Sequence, residues 1–145
     1  MRRGFEKVSG YEYVNFPKRK TKQSAGYDIE SAVNVVITPG ETKLIPTGLK
    51  AYMCENEWLG IYIRSSIAVK YGIILANSVA VIDSDYYNNP DNEGHLMLPI
   101  RNVSRMPYTV KKGDRIAQGI FHQYYKIDDD SADDDRIGGI GSTGK

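Results

Sequence analysis

The amino-acid sequence predicts an all-β domain of sandwich or jelly-roll type. Apolar and β-branched residues recur in short runs, chemically marked turns separate those runs, and no window sustains a helical period. Eight or more short strands in 145 residues suit two packed antiparallel layers, because a parallel sheet would need intervening helices.

The first run, 33–38, stops at Pro39-Gly40, a pair suited to a tight turn. The second, 41–53, carries the turn signals Pro46 and Gly48 within it, and the polar stretch 55–57 separates it from the third, 58–64. A short helix is expected over 66–70, opened by a serine cap. Strands 72–76 and 79–82 follow. The segment 84–95 is long for a hairpin loop and rich in Asn and Asp, so it is either a binding loop or surface decoration. Strands 95–101 and 108–111 come next, and Lys112-Gly113-Asp114 turns the chain into the last strand, 115–125.

A chain of 16.3 kDa with 41% apolar residues can bury one core. A body over 1–127 and an arm over 128–145 are expected. The single cysteine, Cys54, cannot close an internal disulfide. No apolar run reaches membrane-spanning length and no leader segment is evident, so a cytoplasmic protein without membrane contact is expected. The net charge of +1 argues against a dedicated nucleic-acid binder. That charge is unevenly placed: residues 1–22 hold seven basic against two acidic side chains, and 126–135 hold six aspartates against one lysine. The aspartate run lacks EF-hand spacing, and like charges in succession stay solvated, so it reads as a linker.

The linker leads to Gly138-Gly139-Ile140-Gly141-Ser142-Thr143-Gly144-Lys145, whose glycines, hydroxyls and amides suit phosphate oxygens. Both G-x-G-x-x-G and G-x-x-x-x-G-K can be read there, but each needs a following helix to hold the phosphate. The expectation is therefore an arm that folds over a ligand held elsewhere.

Arg64-Ser65-Ser66 offers a guanidinium and two hydroxyls at the start of a helical turn, chemistry suited to phosphate. Asp83 and Asp85 follow an apolar strand and would share a face if the backbone stayed extended; one is a candidate general base, or the two form a turn. Tyr86 is a ring for a base or sugar, or a buried structural tyrosine. Arg115, Gln118 and Arg136 are available for contacts. His95 and His122 are far apart and no Cys-x-x-Cys exists, which argues against zinc; no G-x-S-x-G elbow supports a serine triad.

Taken in order, Ala25-Gly26-Tyr27-Asp28-Ile29, Arg64-Ser65-Ser66, Val81-Ile82-Asp83-Ser84-Asp85-Tyr86, Gly113-Asp114-Arg115-Ile116-Ala117-Gln118 and the segment from Arg136 to Gly144 resemble the five motifs of the homotrimeric dUTPase family. The resemblance implies a distorted jelly-roll protomer of β-clip type and a trimer with active sites at subunit interfaces. It further implies dUTP as substrate, dUMP and pyrophosphate as products, and Mg²⁺ carried by the triphosphate and water rather than by protein ligands. Asp83 would activate water. Asn77, Val81, Ile82 and Met97 would lie at the uracil, and Tyr86 would press on the sugar. Arg64, Ser65, Ser66 and Gln118 would hold phosphates. Arg136, Ile140, Gly141, Ser142 and Thr143 would close over the nucleotide, with Asp28 and Asp114 as supports.

Two departures from the family pattern stand out. Ile140 occupies the place of an arm phenylalanine, for which Tyr87 is a candidate substitute, and 87–94 replaces a tight turn. The competing readings are a nucleotide-gated module without catalysis and a related dCTP deaminase. The latter is disfavoured because 95–100 carries no carboxylate.

Overall fold

A computed structural model describes residues 2–141. The described residues form eleven strands and one α-helix, and every strand pairing among them is antiparallel. The strands are β1 (Gly4–Lys7), β2 (Tyr27–Glu30), β3 (Val35–Ile37), β4 (Thr42–Pro46), β5 (Leu49–Tyr52), β6 (Glu57–Ile63), β7 (Ile73–Leu75), β8 (Ala80–Asp83), β9 (Met97–Asn102), β10 (Tyr108–Val110) and β11 (Arg115–Gln123). The helix, α1, spans Ser65–Tyr71.

Two sheets carry most of the core. One has the order β2-β11-β6-β8, the other β4-β9-β7, and two-stranded ribbons β1-β5 and β10-β3 flank them. Side-chain alternation explains how each sheet faces inward. In β6, Leu59 and Ile61 are fully buried while Trp58 and Tyr62 are only half-buried; in β9, Leu98 and Ile100 are buried while Met97 and Pro99 point the other way. Ile29, Leu59, Ile61, Ile45, Leu98 and Ile100 belong to one apolar cluster to which both sheets contribute. Each such side chain contributes roughly 1.5 to 3 kcal/mol by leaving water.

Three features differ from the sequence-based expectation. The run 41–53 is two strands, because Gly48 adopts φ 72 and breaks β4 from β5. Strands β1 and β2 were absent from the expected set; each is only four residues long, β1 is half-buried throughout while β2 alternates about the buried Ile29, and both are held by pairing, to β5 and β11 respectively. The helix has no serine cap. The residue before it is Arg64, with extended backbone and no capping side chain, and the defined end is the other one, where Gly72 at φ 64 donates to the Ala68 and Ile67 carbonyls.

The segment 84–95 is built rather than loose. A 3₁₀ turn covers Ser84–Tyr86, and Asn88, Glu93 and Gly94 take positive φ. Lys50 of β5 fixes the segment from below, donating to Asn88 Oδ1 at 2.6 Å and Glu93 Oε2 at 2.9 Å.

Candidate active site

The candidate residues collect in two clefts at opposite ends of β6. Asp83 lies across from Trp58 near the start of that strand, and Arg64 follows its last residue, Ile63. Six residues of extended chain separate the two positions, about 20 Å at ~3.3 Å per residue.

At the Asp83 end, β8, the turn at Asn77 and the outward side of β9 enclose a cavity of about 300 Å³. Asn77, Val81, Ile82, Tyr86 and Met97 line it, with Asp83 on its wall. Met97 reaches it because Leu98 takes the core side of β9. Asn77 is held in a tight turn, its carbonyl accepting from the Val79 N–H at 2.7 Å.

The Tyr86 ring is 6% exposed. Its hydroxyl donates to the His95 carbonyl at 2.7 Å and accepts from Asn92 Nδ2 at 2.8 Å. Burial raises the phenol above its ordinary pKa, against the opposing pull of Asn92 and the Arg136 charge. The imidazole of His95 is pushed below its ordinary value by burial, and its Nε2 accepts the Gly48 N–H at 2.8 Å.

The same cavity is walled on its remaining side by Arg136, Gly139, Ile140 and Gly141. Arg136 Nη2 donates to Asp83 Oδ2 at 2.7 Å and Nε donates to Asp85 Oδ1 at 2.8 Å. Its guanidinium also lies 5.6 Å from the centroid of the Tyr86 ring. The two aspartates do not share a face through strand alternation, because the backbone enters the 3₁₀ turn at Ser84; they meet only at the arginine. The Gly139 N–H donates to Asp91 Oδ2 at 3.2 Å. A second hollow, with Trp58 and Tyr124, opens on the other side of Asp83.

Tyr87 does not replace the missing arm ring. Its hydroxyl donates to Glu6 Oε1 at 2.5 Å and its ring packs edge-on to Tyr52, so it belongs to the β1-β5 ribbon rather than to the cavity. The hydrogen bond to the Glu6 carboxylate is the leading cause of the upward shift of its phenol, followed by burial.

At the Arg64 end, a polar cleft of about 310 Å³ brings Arg64, Ser65, Ser66 and Gln118 together with Lys20 and Asp28. Gln118 faces it because β11 runs between β2 and β6, placing Gln118 opposite Asp28 on one side and Tyr62 on the other. Gly26 keeps the approach open; a Cβ there would sit 2.9 Å from the Gln118 Cβ. Asp28 lies 3.8 Å from Arg64 and 3.4 Å from Arg115, so its carboxylate sets the pose of two guanidiniums. Asp114 lines neither cleft; its Oδ2 accepts from the Lys111 N–H at 2.8 Å and shapes the turn into β11. Ser142 and Thr143 lie outside the described residues.

Three participants had not been picked out from sequence. Lys20 lines the polar cleft, and its signal was the basic run 18–22. Asp91 and Asn92 touch the arm, and nothing short of the folded loop reveals them.

Comparison with known proteins adds an independent line. The dUTPase family model matches residues 12–144. A deoxyuridine 5'-triphosphate nucleotidohydrolase of Lactococcus lactis subsp. lactis (strain IL1403) is 53% identical over 146 residues, covering 98% of this chain and 97% of the relative. The protein of that name from Neisseria meningitidis serogroup A is 37% identical over 136 residues, covering 88% and 87%. The crystal structure of dUTPase from Streptococcus mutans aligns with a TM-score of 0.80 at 43% identity, covering 86% of this chain and 98% of that one.

Proposed function

The chain belongs to the dUTPase family and is a dUTP diphosphatase, and from that premise we propose how its two clefts carry out the hydrolysis. The observation that supports the reading is the position of Asp83, a carboxylate on the wall of a mostly apolar cavity of nucleobase size, at the opposite end of β6 from the polar cleft lined by Arg64, Ser65, Ser66 and Gln118.

In this reading uracil enters the cavity between Asn77 and Met97. Backbone donors and acceptors of the surrounding strands suit uracil over cytosine, because a fixed pattern leaves the wrong exocyclic group unpaired. The Tyr86 ring lies against the deoxyribose and leaves no room for a 2′-hydroxyl. Asp83 accepts a proton from water as the water oxygen bonds to the α-phosphorus. The α-phosphorus to bridging-oxygen bond breaks, and dUMP and pyrophosphate result. For Asp83 to act, Arg136 exchanges the carboxylate for a phosphate oxygen, which couples arm closure to the release of the base.

Arg64, Ser65, Ser66 and Gln118 hold triphosphate oxygens, with Asp28 orienting Arg64. The distance along β6 keeps these groups from the Asp83 of their own chain, so a complete site takes them from a neighbouring copy, as in a trimer. Light scattering tests this, with about three times the 16.3 kDa chain mass expected. In this reading Mg²⁺ is held chiefly through the phosphate oxygens and water, as suits an ion that keeps most of its hydration. Bound there, the ion supplies charge neutralisation on the leaving pyrophosphate.

The deaminase alternative has no support in β9, which reads Met-Leu-Pro-Ile-Arg-Asn without a carboxylate. The decisive assay incubates the protein with Mg²⁺ and dUTP, dCTP, dTTP or UTP and follows pyrophosphate and ammonia separately. Pyrophosphate from dUTP alone is expected. Ammonia from dCTP, or binding of dUTP without pyrophosphate, overturns the reading.

A further inference from the structure

We propose that Asn92 is a positioning residue that ties the sugar-facing ring of Tyr86 to the closing arm. The inference rests on the reading that Tyr86 meets the sugar, and adds to it a device in the 87–94 loop.

The orientation of the Asn92 amide is fixed by its neighbours. Its Oδ1 accepts from Asn89 Nδ2 at 2.8 Å and from the Gly94 N–H at 3.1 Å. Both partners are donors, so the oxygen must face them and the NH₂ group must face the other way. There it meets the Tyr86 hydroxyl at 2.8 Å. The phenol spends its own proton on the His95 carbonyl at 2.7 Å, so it can only accept from Asn92. A one-way relay results, from Asn92 Nδ2 to the Tyr86 oxygen to the His95 carbonyl, and it pins the rotation of a ring that is nearly buried.

The arm packs against the same amide. A Cβ placed on Gly139 would fall 2.8 Å from Asn92 Cγ and Nδ2, closer than side chains approach one another. Gly139 is not among the glycines with positive φ. Its lack of a side chain therefore serves space and not backbone freedom: it lets the arm lie directly on the Asn92 amide. The Gly139 N–H to Asp91 Oδ2 bond, 3.2 Å, fixes the arm at this point. Asn92 thus touches both the ring that meets the sugar and the segment that covers the base, and a shift of one is felt by the other.

The test measures kcat and KM for dUTP and UTP in the parent, Asn92→Asp, Asn92→Ala, Gly139→Ala and the Asn92→Ala/Gly139→Ala double variant, with thermal melts to verify folding. Asn92→Asp keeps an oxygen for Asn89 and Gly94 but cannot donate to the phenol. It is expected to lower the preference for dUTP over UTP by roughly three- to tenfold. Gly139→Ala is expected to lower kcat in the parent. In the Asn92→Ala background, where the clash is gone, its further cost is expected to fall within about twofold.

Additive costs of the two alanine substitutions, or an unchanged dUTP preference in Asn92→Asp, overturn the proposal. A parent protein that hydrolyses UTP as well as dUTP would overturn the sugar reading of Tyr86 instead, a result visible before any variant is made.

Discussion

Arg136 and Asp83, 53 positions apart in the chain, are joined by a 2.7 Å contact between Nη2 and Oδ2. The arginine side chain is 9% exposed and the aspartate side chain 54%, so the arm buries its own charge while the carboxylate keeps one side toward solvent. In the proposed mechanism substrate binding competes with this pair, and the exchange that frees the carboxylate brings a cation to the phosphates.

Replacing Asp83 by Asn keeps the shape of the site and removes the proton acceptor. Turnover is expected to fall by roughly 10² to 10⁴ while affinity for a non-hydrolysable dUTP analogue stays within a few-fold of the parent. Pyrophosphate release and calorimetric titration read the two quantities, and a parent-like rate would remove Asp83 from the role of base.

Arg136→Ala and deletion of 136–145 are both expected to lower kcat, by on the order of 10² for the single substitution if the guanidinium serves the transition state. Differential scanning calorimetry should register only a small change in melting temperature, because no strand or helix includes the described residues 136–141. A large drop in melting temperature together with normal turnover in the surviving fraction would assign the arm to stability instead.

Ile140 lines the cavity proposed to take the base and is 59% exposed. Phenylalanine at this place adds stacking of about 1 to 3 kcal/mol per base. Ile140→Phe should therefore lower KM for dUTP or slow product release. Steady-state kinetics with single-turnover controls separate these, and identical constants would mean that aliphatic cover already suffices.

His95 gives stability a pH dependence with a definite sign. Burial lowers its folded-state pKa below the unfolded value of about 6.5, so the unfolded chain binds the proton more readily. Its contribution is fully present above about pH 6.5 and is lost as pH falls through the folded value, where the Gly48 N–H to Nε2 bond breaks. The lowered carboxyls of Glu93, Glu57 and Glu41 titrate below about 4.5 and leave this window clear. Melting temperatures at pH 7.5 and 5.5, at fixed protein concentration, should differ more in the parent than in His95→Gln, which keeps an acceptor without the titration.

Much of the body was legible because turn residues break its strands at short intervals and alternation marks the buried side, as in Leu59 and Ile61 or Leu98 and Ile100. β1 was not legible: Gly-Phe-Glu-Lys is half-buried throughout, and only its pairing with β5 makes it a strand. Residues 41–53 looked continuous because the run is apolar on both sides of Gly48, and the break is set by a backbone angle. For the site, local chemistry singled out Arg64, Asp83 and Gln118, and the order of the motifs gave them a shared purpose. The grouping of Asp83, Asp85 and Arg136 needs chain closure over 53 residues, and the place of Asn92 depends on a loop whose positive-φ positions are not glycine at Asn88 and Glu93.

Under the proposed sharing of each site between copies, the separation of Asp83 from Arg64 along β6 also has a genetic consequence. A copy spoiled at Asp83 still carries sound phosphate ligands, and a copy spoiled at Arg64 still carries a sound base. Two individually dead alleles expressed together should therefore reconstitute some working centres, while a single copy spoiled at both positions would disable the sites on either side of it.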